Sequence, residues 1–314
     1  MNVLTHTLPV TLQQARKARR LSQLELSLRM GVSQRHVSFV ESGRAKPSRE
    51  LLMAWLQELD APLVVRNAAM LQAGYAPAYS AAPLGDPSLV QANDALVQLI
   101  KAHDPQPAFV IDAQWNVLHI NRGGQWLAAV LMPWAKALLA TPSAGSAPIN
   151  LLDMLAHPEG FTKHMTNLAE VGPALLAHLR DDASVQPALT PRVEAFASLL
   201  RDRLGHQSLH TGWPSQTAPV LTSRFATPHG ELGFFSMFTT FGTPQDITLA
   251  SLRVEHMFAA DARTRNVLEA AYFLAIKAVN PSKTCSNSYE IDSTSTIFHK
   301  NPSLPDQGNA HRCQ

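Results

Sequence analysis

The sequence predicts an α+β protein in which an all-α N-terminal domain of five helices precedes a mixed C-terminal domain. Apolar residues recur at helical spacing over 1–75, and a Pro-, Ala- and Gly-rich stretch at 76–88 is typical of a linker. In 89–270, β-type runs lie at both ends of a helical middle, which favours an antiparallel sheet partly covered by helices. We expect 271–314 to be a disordered tail, because the sequence from Val279 onward is polar and without periodicity.

Composition and charge limit the classes of function. Of 314 residues 46% are apolar, and no run of about 18 apolar residues indicates a membrane span. The N-terminus lacks the order of a signal peptide, and the cysteines, Cys285 and Cys313, lack metal-ligand spacing, so a cytoplasmic location is expected. Residues 1–75 carry ten Lys and Arg against five Asp and Glu, a basic excess that suits a polyanionic partner.

The first three helices are predicted from local signals. An amphipathic helix is expected over 11–20, and the segment 23–42 has the pattern of two short helices joined by a tight turn. Gly31 supplies the positive φ that such a turn needs, while Ser22 and Ser33 are placed to cap the two helices.

The same segment predicts how these two helices cross. A steep crossing over a short turn needs a small side chain at the contact, and Ser27 occupies that position. Leu24 and Leu28 form one apolar stripe with Leu26 behind it, so we expect this helix to be buried on much of its surface.

Polar side chains near the start of the second short helix are suited to reading base edges in a DNA major groove. Gln can bond adenine and Arg can bond guanine in bidentate fashion. An ordinary helical hairpin with a polar face is the alternative, but the turn glycine, apolar pattern and basic surroundings favour a DNA-binding helix-turn-helix. The base-reading candidates are Gln34, Arg35, His36 and Ser38.

The rest of this domain follows from stop and cap signals. Ser42-Gly43 is predicted to end the second short helix, and a basic loop follows over 44–48. Helices over 49–59, capped by Ser48, and over 63–73, ended by Gly74, would close the small core.

These motifs resemble the Xre/Cro-like repressor family, whose DNA-binding domain is of the phage-repressor type. The resemblance rests on LSQ at 21–23, GVSQ at 31–34 and ESGRAKPS at 41–48. It implies that Gln23 clamps a phosphate and that Gln34, Arg35 and Ser38 face bases. It also implies a set of residues that position the DNA backbone, namely Ser33, Ser42, Arg44 and Lys46. Ser27 departs from the alanine that is usual in this family.

The C-terminal elements are predicted from alternating and helical patterns. The expected helices span 89–101, 121–131, 151–156, 161–181 and 192–204. The expected strands span 108–111, 116–120, 220–225, 232–240 and 247–258.

The motifs NLLDMLAHPEG at 150–160 and TTFGTPQDITLASLRVEHMFAAD at 239–261 resemble the MmyB-like transcription regulators. The resemblance, which covers about 10–270, implies a PAS-like C-terminal domain that binds a small apolar, fatty-acid-like ligand. Core packing is the more common role for the aromatic residues, but a few would line the cavity that such a ligand needs. Trp126 and Phe235 are the lining candidates.

Catalytic and metal motifs are not found in the sequence. The 13 histidines form no HExxH pair, and neither a phosphate-binding loop nor a nucleophile elbow occurs. We therefore predict no catalytic residue, no metal and no cofactor. The expected function is a transcription regulator that binds double-stranded operator DNA as a homodimer and senses an apolar ligand. Two alternatives stay open: an antitoxin-like protein whose C-terminal domain binds a protein partner, and a fused enzyme.

Overall fold

Five helices make up the N-terminal domain of the computed structural model, which describes residues 7–135, 148–205 and 220–279. They are α1 (Leu8–Ala18), α2 (Gln23–Met30), α3 (Gln34–Glu41), α4 (Arg49–Glu58) and α5 (Leu63–Gln72). The predicted five-helix order is confirmed. Side chains from every helix form one apolar core, whose most buried members include Leu12, Leu26, Val37, Leu52, Trp55 and Met70.

The predicted caps are present. Ser22 accepts a hydrogen bond from the backbone N–H of Glu25, whose carboxylate accepts one from Ser22 N–H in return. Ser33 and Ser48 cap α3 and α4 by accepting hydrogen bonds from His36 N–H and Leu51 N–H, without a return bond. Gly31 has a φ of +65°, a left-handed conformation that costs glycine little. Local chemistry therefore determines where the helices of this domain begin and end.

The prediction for the apolar stripe of α2 is wrong. Leu24 is 51% exposed and Leu28 72% exposed, while Leu26 and Ser27 are buried. Residues two positions apart on a helix point in nearly opposite directions, so Leu26 cannot be buried together with both leucines on a short surface helix.

The C-terminal domain contains a five-stranded antiparallel sheet in the order β2-β1-β5-β4-β3. Its strands are β1 (Ala108–Ile111), β2 (Val117–Ile120), β3 (Ser223–Thr227), β4 (Gly230–Thr239) and β5 (Arg253–Ala259). Its helices are α6 (Val90–Ala102), α7 (Arg122–Leu131), α8 (Leu151–Ala156), α9 (Leu168–Val185), α10 (Thr190–Leu204), α11 (Ile247–Ser251) and α12 (Ala262–Val279). The predicted α+β class is confirmed, and the PAS-like label stays a prediction.

Strand alternation gives the sheet two differently covered faces. Phe109 and Ile111 of β1 pack into a cluster with α8, α9 and α10. Ala108 and Val110, which point the other way, pack with α6. In β4 and β5, Ser236 pairs with Met257 and Phe238 pairs with Glu255. This register determines which side chains face α8–α10.

Two predicted elements are corrected. The expected helix over 161–181 is a short 3-10 helix (Phe161–His164) followed by α9 from Leu168, because Asn167 bonds to the backbone beside β3 instead of continuing a helix. The expected strand over 247–258 begins with α11, since Asp246 accepts hydrogen bonds from Thr248 N and Leu249 N.

The chain after β5 forms a helix that was not predicted. Helix α12 extends to Val279, past the boundary predicted at 270. Of the predicted tail, 280–314 lies outside the described residues. Among the helices that are described, none combines the length and apolar character that a bilayer crossing requires.

Candidate functional site

The base-reading candidates lie at the start of α3, on one accessible surface. Gln34 and Arg35 are exposed, and His36 and Ser38 are half-buried. Ser33 caps the helix through a 3.1 Å bond from His36 N–H, so in this structure its hydroxyl orients the first turn. The opposite side of the helix carries Val37 and Val40, which are buried and pack α3 against the rest of the domain.

Phe39 organises two cations on this surface. The Arg35 guanidinium lies 5.1 Å from the centre of the Phe39 ring, and the Arg44 guanidinium lies 5.9 Å from it. Such contacts attract a cation to the ring face and restrict its rotamers. Phe39 thus joins a base-reading candidate to a positioning candidate. Sequence reasoning missed it because it occupies a half-buried position of an ordinary helical pattern.

Gln23 is held by a buried ion pair. Its Nε2 donates a 2.9 Å hydrogen bond to Glu41 Oε2, and the same carboxylate accepts two 2.7 Å bonds from Arg16. The Arg16 and Glu41 side chains are 9% and 1% exposed. Arg16 also donates to the carbonyl of Leu21. The residue expected to clamp a phosphate is therefore oriented by groups that sequence reasoning missed.

The remaining positioning candidates lie in the loop after α3. Ser42, Arg44 and Lys46 are all exposed. The Lys46 ammonium is 4.8 Å from the centre of the Tyr75 ring, whose hydroxyl donates to the carbonyl of Pro47. The structure thus brings the predicted DNA-contacting residues onto adjoining parts of one domain surface, while their contacts with DNA stay a prediction.

A second candidate site is a cavity of about 300 Å³ between the sheet and helices α8 and α9. Its wall is mostly apolar and includes Phe109, Trp115, Leu151, Phe161, Phe238 and Met257. At its rim, Val220, Leu221 and Phe238 are 40–47% exposed. A concave apolar site of this size lies at the lower end of the range used by small-molecule ligands, about 300–1,000 Å³.

Neither of the predicted lining residues faces this cavity. Trp126 lies beside the cluster beneath α7, with its ring 5.6 Å from that of His229. Phe235 stacks on Phe258 with ring centres 5.4 Å apart, on the other face of the sheet. Because side chains alternate along β4, its neighbours Ser236 and Phe238 line the cavity instead.

Four polar side chains interrupt the apolar wall: His178, Ser223, Ser236 and Glu255. Ser236 Oγ donates a 2.7 Å hydrogen bond to Glu255 Oε1. Burial raises the pKa of Glu255, and the hydrogen bond from Ser236 counters that rise only in part. Sequence reasoning missed Glu255, although an acidic residue in the middle of a predicted strand was the available signal.

A short segment connects the two domains, and we call residues 78–82 the tether. On the side of the N-terminal domain, Asn67 of α5 accepts bonds from Ala78 N and Tyr79 N and donates to the Tyr79 carbonyl. On the other side, Asp246 accepts bonds from Ser80 Oγ and Ala82 N. Burial opposes ionisation of Asp246, but these bonds and those from the start of α11 outweigh it, so its pKa is lowered.

Within the described part of the chain, no three His, Cys, Asp or Glu side chains come together in a way that could hold a metal ion. The closest ring contact between histidines joins His103 and His256, with centres 4.8 Å apart on the sheet face away from the cavity. Burial first, and the nearby His103 second, lower the pKa of His256. His103 and His256 therefore pack against each other, with His256 buried in the protein interior.

Two family models match the chain, one over each of its two domains. The description "MmyB-like transcription regulator ligand binding domain" matches residues 92–271, and "Helix-turn-helix" matches residues 12–65. No curated protein matches the chain at a significant level. The first match covers more than half of the chain and contains the cavity, and the second contains α3 and its exposed surface. The chain therefore belongs to the family of MmyB-like transcription regulators, with a helix-turn-helix DNA-binding domain and a ligand-binding domain.

Proposed function

We propose that this regulator binds a palindromic or repeated operator as a homodimer and that a medium- or long-chain apolar molecule in the cavity controls that binding. The observation that carries the proposal is the mostly apolar cavity of about 300 Å³ in the matched ligand-binding domain. Each CH₂ that the cavity removes from water contributes about 0.8 kcal/mol, offset by the freedom that the ligand loses.

The proposed roles on DNA follow the surface of α3. Gln34, Arg35, His36 and Ser38 would read base edges, and the exposed loop after α3 would position the phosphates. The Phe39 ring supports this division, because its contact with the Arg35 guanidinium restricts the rotamers of a base-reading candidate. One helix-turn-helix domain contacts too little DNA for tight selective binding, which is why we propose a dimer.

The tether offers a route from the cavity to the DNA-binding domain. Asp246 binds Ser80 of the tether and also caps α11, which leads directly into β5. Met257 and Glu255 of β5 form part of the cavity wall. A ligand that shifts β5 would therefore act on α11, on the tether and on Asn67 of α5. The ligand controls transcription only if it favours one arrangement of the DNA-binding domains over another.

The test combines two titrations on the full chain. Operator sequences are first selected from a random DNA pool, and straight-chain aliphatic probes are then added in thermal-melting and operator-binding assays. We expect a probe that raises the melting temperature also to change operator affinity. Tight probe binding with unchanged operator affinity would leave a lipid-binding domain and refute ligand control. If no probe binds, an antitoxin-like protein whose C-terminal domain binds a partner becomes the better description.

A further inference from the structure

The polar part of the cavity wall belongs to adjacent strands of the sheet. Glu255 of β5 faces the cavity between Phe109 of β1 and Phe238 of β4, its partners in the strand pairing. Ser236 of β4 lies on the same face and donates the 2.7 Å bond to the Glu255 carboxylate. Ser223 of β3 and His178 of α9 are the other polar residues of the wall. Glu255 thus places a carboxyl group between the aromatic rings of Phe109 and Phe238.

The charge of Glu255 has no partner within the described residues. No described Lys, Arg or His nitrogen lies within 4 Å of its carboxylate, and the hydrogen bond that it accepts comes from Ser236. Arg253 lies two residues earlier on the same face of β5, but its guanidinium already binds Asp182 at 2.8 Å. Asp182 in turn accepts a 3.0 Å bond from Trp115 Nε1. Arg253 is therefore paired with Asp182 and does not neutralise Glu255.

A carboxyl group in this position discriminates between head groups of a bound chain molecule. An ionised carboxylate has about four acceptor positions, and Ser236 occupies one of them. A second carboxylate placed beside it would repel it, whereas a hydroxyl or ammonium group would donate to it. Burial already disfavours the charge of Glu255, so a donor from the ligand would relieve an existing cost.

We infer that Glu255 and Ser236 form the head-group end of the ligand site, which takes an aliphatic molecule whose polar head donates hydrogen bonds, an amine or an alcohol, in preference to a carboxylate. This inference rests on the proposed function, since it assumes that the cavity holds an aliphatic chain. It adds the chemistry of the head group, with Glu255 as the residue that determines specificity.

The experiment compares three probes of equal chain length: decylamine, 1-decanol and decanoate, each below its micelle-forming concentration. Binding to the full-length protein is measured by calorimetry at neutral pH. We expect both donor probes to bind at least about tenfold more tightly than decanoate, a factor that corresponds to one pKa unit of interaction. In Glu255→Gln, the amide can donate to a carboxylate, so this preference should disappear.

Glu194→Gln is the matched control, because it makes the same chemical change at a side chain that is 53% exposed on α10. It should keep the preference of the unmodified protein. Equal or tighter binding of decanoate to the unmodified protein, or an unchanged preference in Glu255→Gln, would overturn the head-group assignment while leaving the proposed function in place. Failure of all three probes to bind would overturn both.

Discussion

Removal of the Glu41 carboxylate should destabilise the DNA-binding domain strongly. In Glu41→Ala, the Arg16 guanidinium stays buried but loses two 2.7 Å hydrogen bonds and its countercharge, keeping its bond to the carbonyl of Leu21. Breaking one side of a buried ion pair typically costs about 3–5 kcal/mol. A domain has a total stability of about 5–15 kcal/mol, so this loss would be a large fraction of it.

The assay is native-state hydrogen exchange of the α3 amides in the full chain, which reports the free energy of opening of this domain alone. The double variant Arg16→Met, Glu41→Leu should recover most of the loss, because apolar side chains of similar size remove both buried charges together. Glu58→Ala is the control: its pair with Arg29 is 3.3 Å long and largely exposed, so a change below about 1 kcal/mol is expected.

The same substitution has a consequence for DNA binding. Without Glu41, Gln23 loses the 2.9 Å bond that orients its amide, so affinity should fall similarly for operator and random DNA. If Glu41→Ala were as stable as the unmodified chain, water would have to reach Arg16, and the reasoning from burial would be refuted. If the double variant were as unstable as Glu41→Ala, the loss would not come from the unpaired Arg16.

Four further outcomes are expected. Arg35→Ala should reduce the discrimination between bases at one base pair by about 1–3 kcal/mol. Lys46→Ala should weaken binding to all DNA and lower the slope of log affinity against log salt concentration by about one. Equal effects of both variants on specific and random DNA would contradict these roles. Asp246→Asn should keep probe affinity but reduce the probe-induced change in operator affinity, and unchanged coupling would exclude the tether as the route. Glu255→Gln should stabilise the ligand-free protein more at alkaline pH than at pH values below 4.5, the ordinary pKa of a glutamate, because a carboxyl with a raised folded pKa contributes stability below its unfolded pKa that is lost as pH rises through the folded pKa. A melting temperature that responds equally to the substitution at both pH values would contradict the raised pKa. Truncation after Val279, which keeps α12 whole, should leave the melting temperature unchanged, and a large drop would show that the tail is structural.

The N-terminal domain was predictable because its signals are local. Ser22, Ser33 and Ser48 cap their helices through bonds to residues three positions later. The left-handed φ of Gly31 and Gly43 marks turns that the sequence alone suggests. The exposure of Leu24 and Leu28 was not predictable in the same way, since it depends on which side of α2 meets the neighbouring helices.

The C-terminal domain shows where local signals fail. The run over 247–258 is rich in apolar residues, which are compatible with a helix or a strand over short lengths. The side chain of Asp246 decides in favour of a helix for its first residues by bonding to Thr248 N and Leu249 N. The same carboxylate binds the tether, which is about 165 residues earlier in the chain, and no local pattern reveals such a contact.

Strand register explains why the cavity lining was not predictable. A shift of one residue along β4 exchanges Phe235 for Ser236, and the sequence alone does not say which of them faces α8–α10. Aromatic character favoured Phe235, but its ring packs against Phe258 on the opposite face. The pairing of Phe238 with Glu255 determines the orientation of both strands, and this pairing joins segments that are separated by a loop and α11.

Glu255 is also the point at which requirements for stability and for function diverge. On its face of β5, Arg253 has a partner in Asp182, and Met257 packs against apolar clusters. Glu255 accepts one bond, from Ser236, and burial opposes its ionisation, so an apolar residue would make the ligand-free domain more stable. Departures from local consistency concentrate at functional sites, where a bound group compensates for them. A hydrogen-bond donor in the cavity would supply that compensation, which is the physical reason to look for the head group of the ligand at Glu255.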